Sequence, residues 1–215
     1  FTHLKMVICI PSGITEVEKR AVFDSADHVD SKETYLIHEP MAAALGIGLD
    51  VEEPIGNMVI DIGGGTPEIA VIALSGIVTD QSIRIAGDEF TNDIIDYMKR
   101  KHNILIGERT AEQIKINVGA AIADIADPPA KFAVNGRDML TGIPKQVFTT
   151  HVEVAEAIDK SIAKIEEAVL KALEDTPPEL SSDIYQTGIY LTGGGALLRG
   201  LDRRMAAKTK LKVHI

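Results

Sequence analysis

The chain has 215 residues, of which 45% are hydrophobic and 25% charged, a globular composition that excludes a disordered chain. Its formal net charge of −10 argues against nucleic acid as a partner, because a sequence-independent grip on DNA or RNA needs a basic face. Cys9 is the only cysteine, so an intrachain disulfide and a cysteine-based zinc site are both excluded. The longest apolar stretch, residues 41–49, is too short to span a bilayer, and no cleavable signal pattern opens the chain. The expectation is a soluble protein of a reducing compartment.

In chain order, residues 6–10 read as a buried strand that carries Cys9 in the core. Thr15 and Glu18 have capping-box spacing and open a helix to about His28, with Val17, Ala21, Val22 and Ala26 on its apolar face. A short strand at 34–37 follows, and Glu39-Pro40 leads into an alanine-rich helix. Residues 57–62, 68–74 and 77–85 form a meander whose links are residues 63–67 and Ser75-Gly76. A helix runs from Asp88 to about His102, and Thr110 with Gln113 caps a second. Asn135-Gly136, between 131–134 and 139–148, is a strong hairpin signal. Thr150 and Glu153 open a long helix to about Glu174, stopped before Pro177-Pro178. A strand at 188–191 enters a second triple glycine, a last helix starts at Ala196, and residues 211–215 alternate like a strand. Strands alternating with helices make an α/β layer architecture, with residues 88–148 read as an inserted small α+β subdomain.

Two glycine turns carry the chemistry. Asp61-Ile62-Gly63-Gly64-Gly65-Thr66 lies between two strands. Successive N–H groups in such a turn form an anion nest, Asp61 is placed to hold Mg²⁺ through water or to orient an attacking water, and Thr66 offers a hydroxyl to phosphate. A ligand-free hairpin turn is the alternative. Gly193, Gly194, Gly195 and Ala196 join a strand to a helix, where a flat nucleoside could lie against backbone; a tight turn without ligand fits equally well. Glu39 is either a water-positioning acid or a helix-dipole residue. Glu112 and Lys115, three apart on one helix face, read from spacing alone as a solvated pair. The six histidines show no ligand spacing.

Together these residues resemble the actin-like ATPase superfamily and, within it, the MreB family of bacterial actins. The likeness rests on PSGITEVEKR (11–20), Glu39-Pro40-Met41-Ala42-Ala43-Ala44, Asp61 to Thr66, GERTAE (107–112), TPPEL (176–180) and LTGGGALLRGLD (191–202). It implies a partial actin-like (ribonuclease H-like) fold: residues 1–51 from the first large lobe, 52–87 and 149–215 as the second large lobe, and 88–148 as the small upper subdomain. By the same resemblance Gly63, Gly64, Gly65 and Thr66 become the second phosphate loop, and Asp61 its Mg²⁺ and water carboxylate. Glu39 positions the hydrolytic water, Glu112, Gln113 and Lys115 contact the nucleoside, and Gly193 to Ala196 form the adenosine loop.

The implied function is an ATP-binding filament that organises cell-wall synthesis and maintains rod shape. Its implied partners are further copies of itself, the cell-wall elongation machinery, membrane-anchored shape proteins and the inner face of the cell membrane. His38 stands where the family usually has Glu, and Pro67 where Thr is common, which removes one N–H beside the nest. The family's first phosphate loop, its apolar membrane loop and its closing segment have no counterpart here, so the resemblance covers roughly the last two-thirds of a family member. With half of the phosphate clamp missing, the expectation for this chain alone is weak ATP binding and negligible hydrolysis. Rival readings are a non-filamentous chaperone- or kinase-type actin-fold ATPase, and a nucleotide-independent structural homologue.

Overall fold

Strands and helices alternate through residues 4–215, the part of the chain that the computed structural model describes. Phe1 and His3, the latter one of the six histidines weighed above, lie outside the described residues. Strand β1 (Leu4–Ile10) pairs in parallel with β2 (Ser31–His38) in a two-stranded sheet, and α1 (Glu16–Asp27) connects them. The Thr15–Glu18 capping box forms as the spacing predicts. The burial does not follow the pattern, however. Only Ile10 of β1 and Ala26 of α1 are buried, Val17 is 80% exposed, and Cys9 is exposed rather than in a core. A sheet of two strands offers little surface for covering a flanking helix.

Helix α2 (Glu39–Gly46) leads to the main sheet, which contains β3 (Asn57–Ile62), β4 (Pro67–Ala73), β5 (Gly76–Ser82), β9 (Ile189–Thr192) and β10 (Val213–His214) in the order β10-β9-β3-β4-β5. β3, β9 and β10 are parallel, whereas β4 runs antiparallel to both neighbours. Alternation sorts the two faces. Met58, Ile60, Ile62, Ile69 and Val71 enter the large core, while Val59, Ala70 and Ile72 meet Ala44 of α2 on the other side. The β4–β5 turn is Leu74-Ser75, both left-handed (φ 50° and 59°), rather than Ser75-Gly76. Two positive φ values are what a twisted two-residue hairpin requires.

Helix α3 (Gly87–His102) is followed by β6 (Ile104–Leu105), α4 (Glu108–Val118), β7 (Phe132–Asp138) and β8 (Pro144–Thr149), with β6, β7 and β8 forming a three-stranded sheet. Asn135-Gly136 does not turn. It lies mid-strand, opposite Gln146 and Lys145, and the chain reverses at residues 139–143. Glycine is required there for closeness, because a Cβ on Gly136 would meet Ile104 Cγ1 at 2.7 Å. Thr110 and Gln113 do not cap α4, whose N-cap is Gly107.

Helix α5 (His151–Glu174) packs across β4 and β5 and against α3. Both halves of its Thr150–Glu153 capping box are present. Thr150→Ala is expected to cost about 1 kcal/mol by removing that cap, read as a lower urea midpoint with an unchanged slope. Helix α6 (Pro178–Thr187) starts at the prolines expected only to stop α5, since proline tolerates a first helical turn. The segment after Gly193 is a 3₁₀ turn (Gly194–Leu197), and the last helix, α7 (Leu201–Thr209), begins later than Ala196.

Candidate functional site

Because β3 and β9 are parallel neighbours, with Asp61 opposite Thr192, the chain leaves both strands at one edge of the sheet. Both glycine turns therefore open side by side. Their glycines serve different ends. Gly63, Gly64 and Gly65 are exposed and none has positive φ; a Cβ added to Gly63 or Gly65 would meet nothing within 4 Å. Neither backbone nor internal packing demands glycine at those two positions, and the free space above them is what an approaching ligand needs. Gly193 is left-handed (φ 82°), and its Cβ would lie 2.6 Å from the Ile62 carbonyl oxygen. A Cβ on Gly195 would lie 2.9 Å from Ile62 Cβ. Those two glycines let the second turn press on β3. Gly194 is open, and Ala196 is buried.

The helix end at this site is that of α3, not the helix expected after Gly195. The Gly87 N–H donates to the Gly63 carbonyl (3.2 Å) and the Asp88 N–H to the Gly64 carbonyl (2.8 Å). Lys115 Nζ reaches from α4 to donate to the Gly87 carbonyl (2.8 Å) and the Thr91 hydroxyl (3.1 Å), and it pairs with Glu112 Oε2 (2.6 Å). The Thr91 hydroxyl also hydrogen-bonds Glu112 Oε2 at 2.9 Å. At 16% exposure the Lys115 side chain is no solvated surface group. Burial pushes the Glu112 carboxyl up, but hydrogen bonds from Lys115 and Thr91, together with the Lys115 charge, outweigh it and hold the pKa below its ordinary value. Gln113 stays apart. It is exposed, lies round the helix from that pair, and its backbone carbonyl accepts from Asn117 Nδ2.

On the α2 side of the sheet, Asp61 and Glu68 are cross-strand partners in β3 and β4, with Glu39 at the first position of α2. Glu68 is 1% exposed and accepts from the Ser82 hydroxyl (2.7 Å) and the Ser12 N–H (3.2 Å). Burial raises the Asp61 pKa, and the Glu68 charge adds to that. Burial likewise raises Glu39, followed by the charges of Glu68 and Asp61. Among the described residues no group of three His, Cys, Asp or Glu side chains could hold a metal ion. Asp61 nevertheless suits Mg²⁺, which is commonly held by one or two carboxylates, waters and substrate phosphates, and the excess negative charge here is of the sign a cation relieves. An acid whose pKa rises on folding weakens the fold once ionised. Asp61→Asn is therefore expected to raise the melting temperature at neutral pH. That gain fades as pH falls through the raised pKa and below the ordinary 3.8, where Asp61 is neutral in both states; thermal melts across pH check it.

Glu68, Gly87 and Thr91 escaped the sequence reading, and Asp88 entered it only as the start of a helix. Glu68 had a usable signal: counting outward from the Gly-rich loop, it and Asp61 are each the second residue of their strand, so a hairpin must face them together.

The family model for MreB/Mbl protein matches residues 1–215. The chain belongs to the MreB/Mbl family. It is 46% identical over 215 residues to the cell shape-determining protein Mbl of Bacillus subtilis strain 168, covering all of this chain and 64% of that one. It is 47% identical over 211 residues to the cell shape-determining protein MreB of Escherichia coli K12, covering 98% and 60%. The chain thus spans under two thirds of the length of these MreB/Mbl relatives. Among solved structures, MreB5 of Spiroplasma citri bound to AMPPNP superposes with a TM-score of 0.95 at 36% identity, covering 98% of this chain and 63% of that one. The double helical filament of MamK superposes with a TM-score of 0.77 at 21% identity, covering 96% and 62%, which bears on fold alone. The architecture is a partial actin-like α/β fold, as the resemblance implied.

Proposed function

We propose that this chain is the ATP-holding part of a polymerising bacterial actin. In the complete gene product it binds and hydrolyses Mg-ATP, assembles with copies of itself, and organises cell-wall synthesis so that rod shape is kept. The observation that carries the reading is the pair of glycine turns opening together at one sheet edge, the first with free space above its backbone. The nucleotide-bound MreB5 structures support it.

In this reading residues 63–66 hold phosphate with backbone N–H groups, and Gly193 to Ala196 receive the adenosine. Glu112 and Lys115 face the nucleoside while also fixing α3, whose N-terminal end abuts the phosphate loop. Asp61 would hold Mg²⁺ through water; the ion supplies charge neutralisation on the phosphates when bound. Glu39, its proton affinity raised by burial, orients the attacking water. Residues 1–51 belong to one large lobe, 52–87 and 149–215 to the other, and 88–148 form the small subdomain. Among the described residues no helix is long and apolar enough to cross a membrane. The filament lies at the cytoplasmic face of the inner membrane and works with the elongation machinery and membrane-anchored shape proteins.

Titration calorimetry with Mg-ATP tests this on the chain and on the complete gene product. The expected result is binding and turnover by the complete product, with weak binding by this chain. No binding by a folded complete product would overturn the reading.

A further inference from the structure

The two halves of the site come from different parts of the chain. Glu39 follows β2, and β2 is held in register by β1, with Ile10 opposite His38. Asp61 and the first glycine turn follow β3. What fixes Glu39 relative to that turn is then the contact between residues 4–50 and the main sheet. Most of that contact is apolar, Ala44 of α2 against Val59, Ala70 and Ile72. Hydrophobic contact is non-directional and tolerates sliding. A hydrogen bond has a narrow range of distance and angle. Among the described residues, hydrogen bonds tie residues 4–51 to the main sheet at two ends: away from the site the Ser75 N–H of the β4–β5 turn donates to the Val51 carbonyl at 2.6 Å, and at the site itself the Ser12 N–H donates to Glu68 Oε2 at 3.2 Å.

Both ends of that bond are well anchored. Ser12 lies two residues beyond Ile10, the buried end of β1. Glu68 is in register with Asp61, and its other oxygen is held by Ser82 of β5 at 2.7 Å. Among the described residues no Lys, Arg or His side chain pairs with Glu68, and a carboxylate in the interior carries a desolvation cost that its two hydrogen bonds help to offset.

We propose that Glu68 is a positioning residue: its carboxyl group straps the turn after β1 to the phosphate-loop hairpin and so sets the distance between Glu39 and the reacting phosphate. This rests on the ATPase reading above for its effect on turnover, but the strap itself is a property of the fold.

The test uses Glu68→Ala, Glu68→Gln and Ser82→Ala in the complete gene product. Glutamine keeps the strap, because its Oε1 accepts from the Ser12 N–H while its NH₂ donates to the Ser82 hydroxyl, which serves either role. Glu68→Ala is expected to lower kcat by about tenfold to 100-fold, as misplaced reacting groups do, with the Mg-ATP dissociation constant changed by less than about threefold. Hydrogen exchange at the Ser12 amide quickens in the same variant. Glu68→Gln keeps the strap but removes a charge that Asp61 and Glu39 feel, so it loses some kcat yet at least about threefold less than Glu68→Ala, and Ser82→Ala, which frees one carboxyl oxygen, also loses less than Glu68→Ala. Should Glu68→Ala not fold, Ser82→Ala against Glu68→Gln carries the comparison. Full kcat in Glu68→Ala, equal losses in Glu68→Ala and Glu68→Gln, or a parallel loss of nucleotide affinity would each overturn the strap. Absence of ATP binding in the parent would instead defeat the ATPase reading, and the Ser12 exchange rate would still decide whether the strap exists.

Discussion

Gly193→Val is expected to cost about 2–5 kcal/mol, the sum of left-handed strain for a residue with a Cβ and of overpacking against a neighbouring strand. Gly193 has φ 82°, and the added Cβ would lie 2.6 Å from the Ile62 carbonyl oxygen, a backbone atom that cannot swing aside. Relief requires β9 to draw away from β3, which would disturb the Asp61–Thr192 register at the site. The control is Gly194→Ala in the same turn. Gly194 has open space around it and no positive φ, so stability should stay within about 0.5 kcal/mol of the parent. In the ATP reading, a methyl group there still stands where the adenosine lies, so affinity falls without loss of fold. Urea unfolding of both variants reads the first contrast and calorimetry the second. Equal stability losses in the two variants would refute the assignment of Gly193 to packing.

The same contrast explains what could be read from the sequence. Gly63–Gly65 and Gly193–Gly195 look alike as strings, and as strings both are legible. Only the backbone angles and neighbours separate a turn left open from one pressed on β3. The capping boxes at Thr15 and Thr150 were legible because both partners lie within four residues. Asn135-Gly136 misled because its glycine answers to a strand crossing from elsewhere, β6, and not to a local turn. Glu112 and Lys115 were unreadable from spacing for a similar reason: the groups that take them out of solvent, Thr91 and the Gly87 carbonyl, lie on another helix. Val17 and Cys9 are exposed against a sheet of two strands, in a chain that spans under two thirds of its relatives' length. Pattern reports what a segment is suited to, and tertiary partners decide whether it is used.

Arg204→Met is expected to cost about 3–5 kcal/mol, because it strands a buried acid. Arg204 on α7 donates through Nε to Glu166 Oε1 on α5 at 2.7 Å, and the Glu166 side chain is only 8% exposed. Its Nη1 reaches Asp159 at 2.7 Å and the Ala121 carbonyl at 3.1 Å. Burial works against the Arg204 charge, and the hydrogen bonds and charges of Glu166 and Asp159 more than restore it, leaving its pKa raised. Asp159 is 61% exposed, so Asp159→Asn should cost no more than about 1 kcal/mol. The large effect therefore belongs to Glu166, and a double variant, Arg204→Met with Glu166→Met, isolates it. Replacing a buried ion pair by apolar side chains is neutral or stabilising by about 1–4 kcal/mol, so the double variant should recover the parent's stability or exceed it. Thermal melts separate the cases, since each kcal/mol moves a chain of this size by about 2–4 °C. A double variant as unstable as Arg204→Met would show that the arginine acts through Ala121 and helix packing instead. The location gives the result a bearing on the site. Arg204 ties α5 and α7 to the segment that follows α4, and α4 carries the Lys115 that holds the N-terminal end of α3 against the first glycine turn.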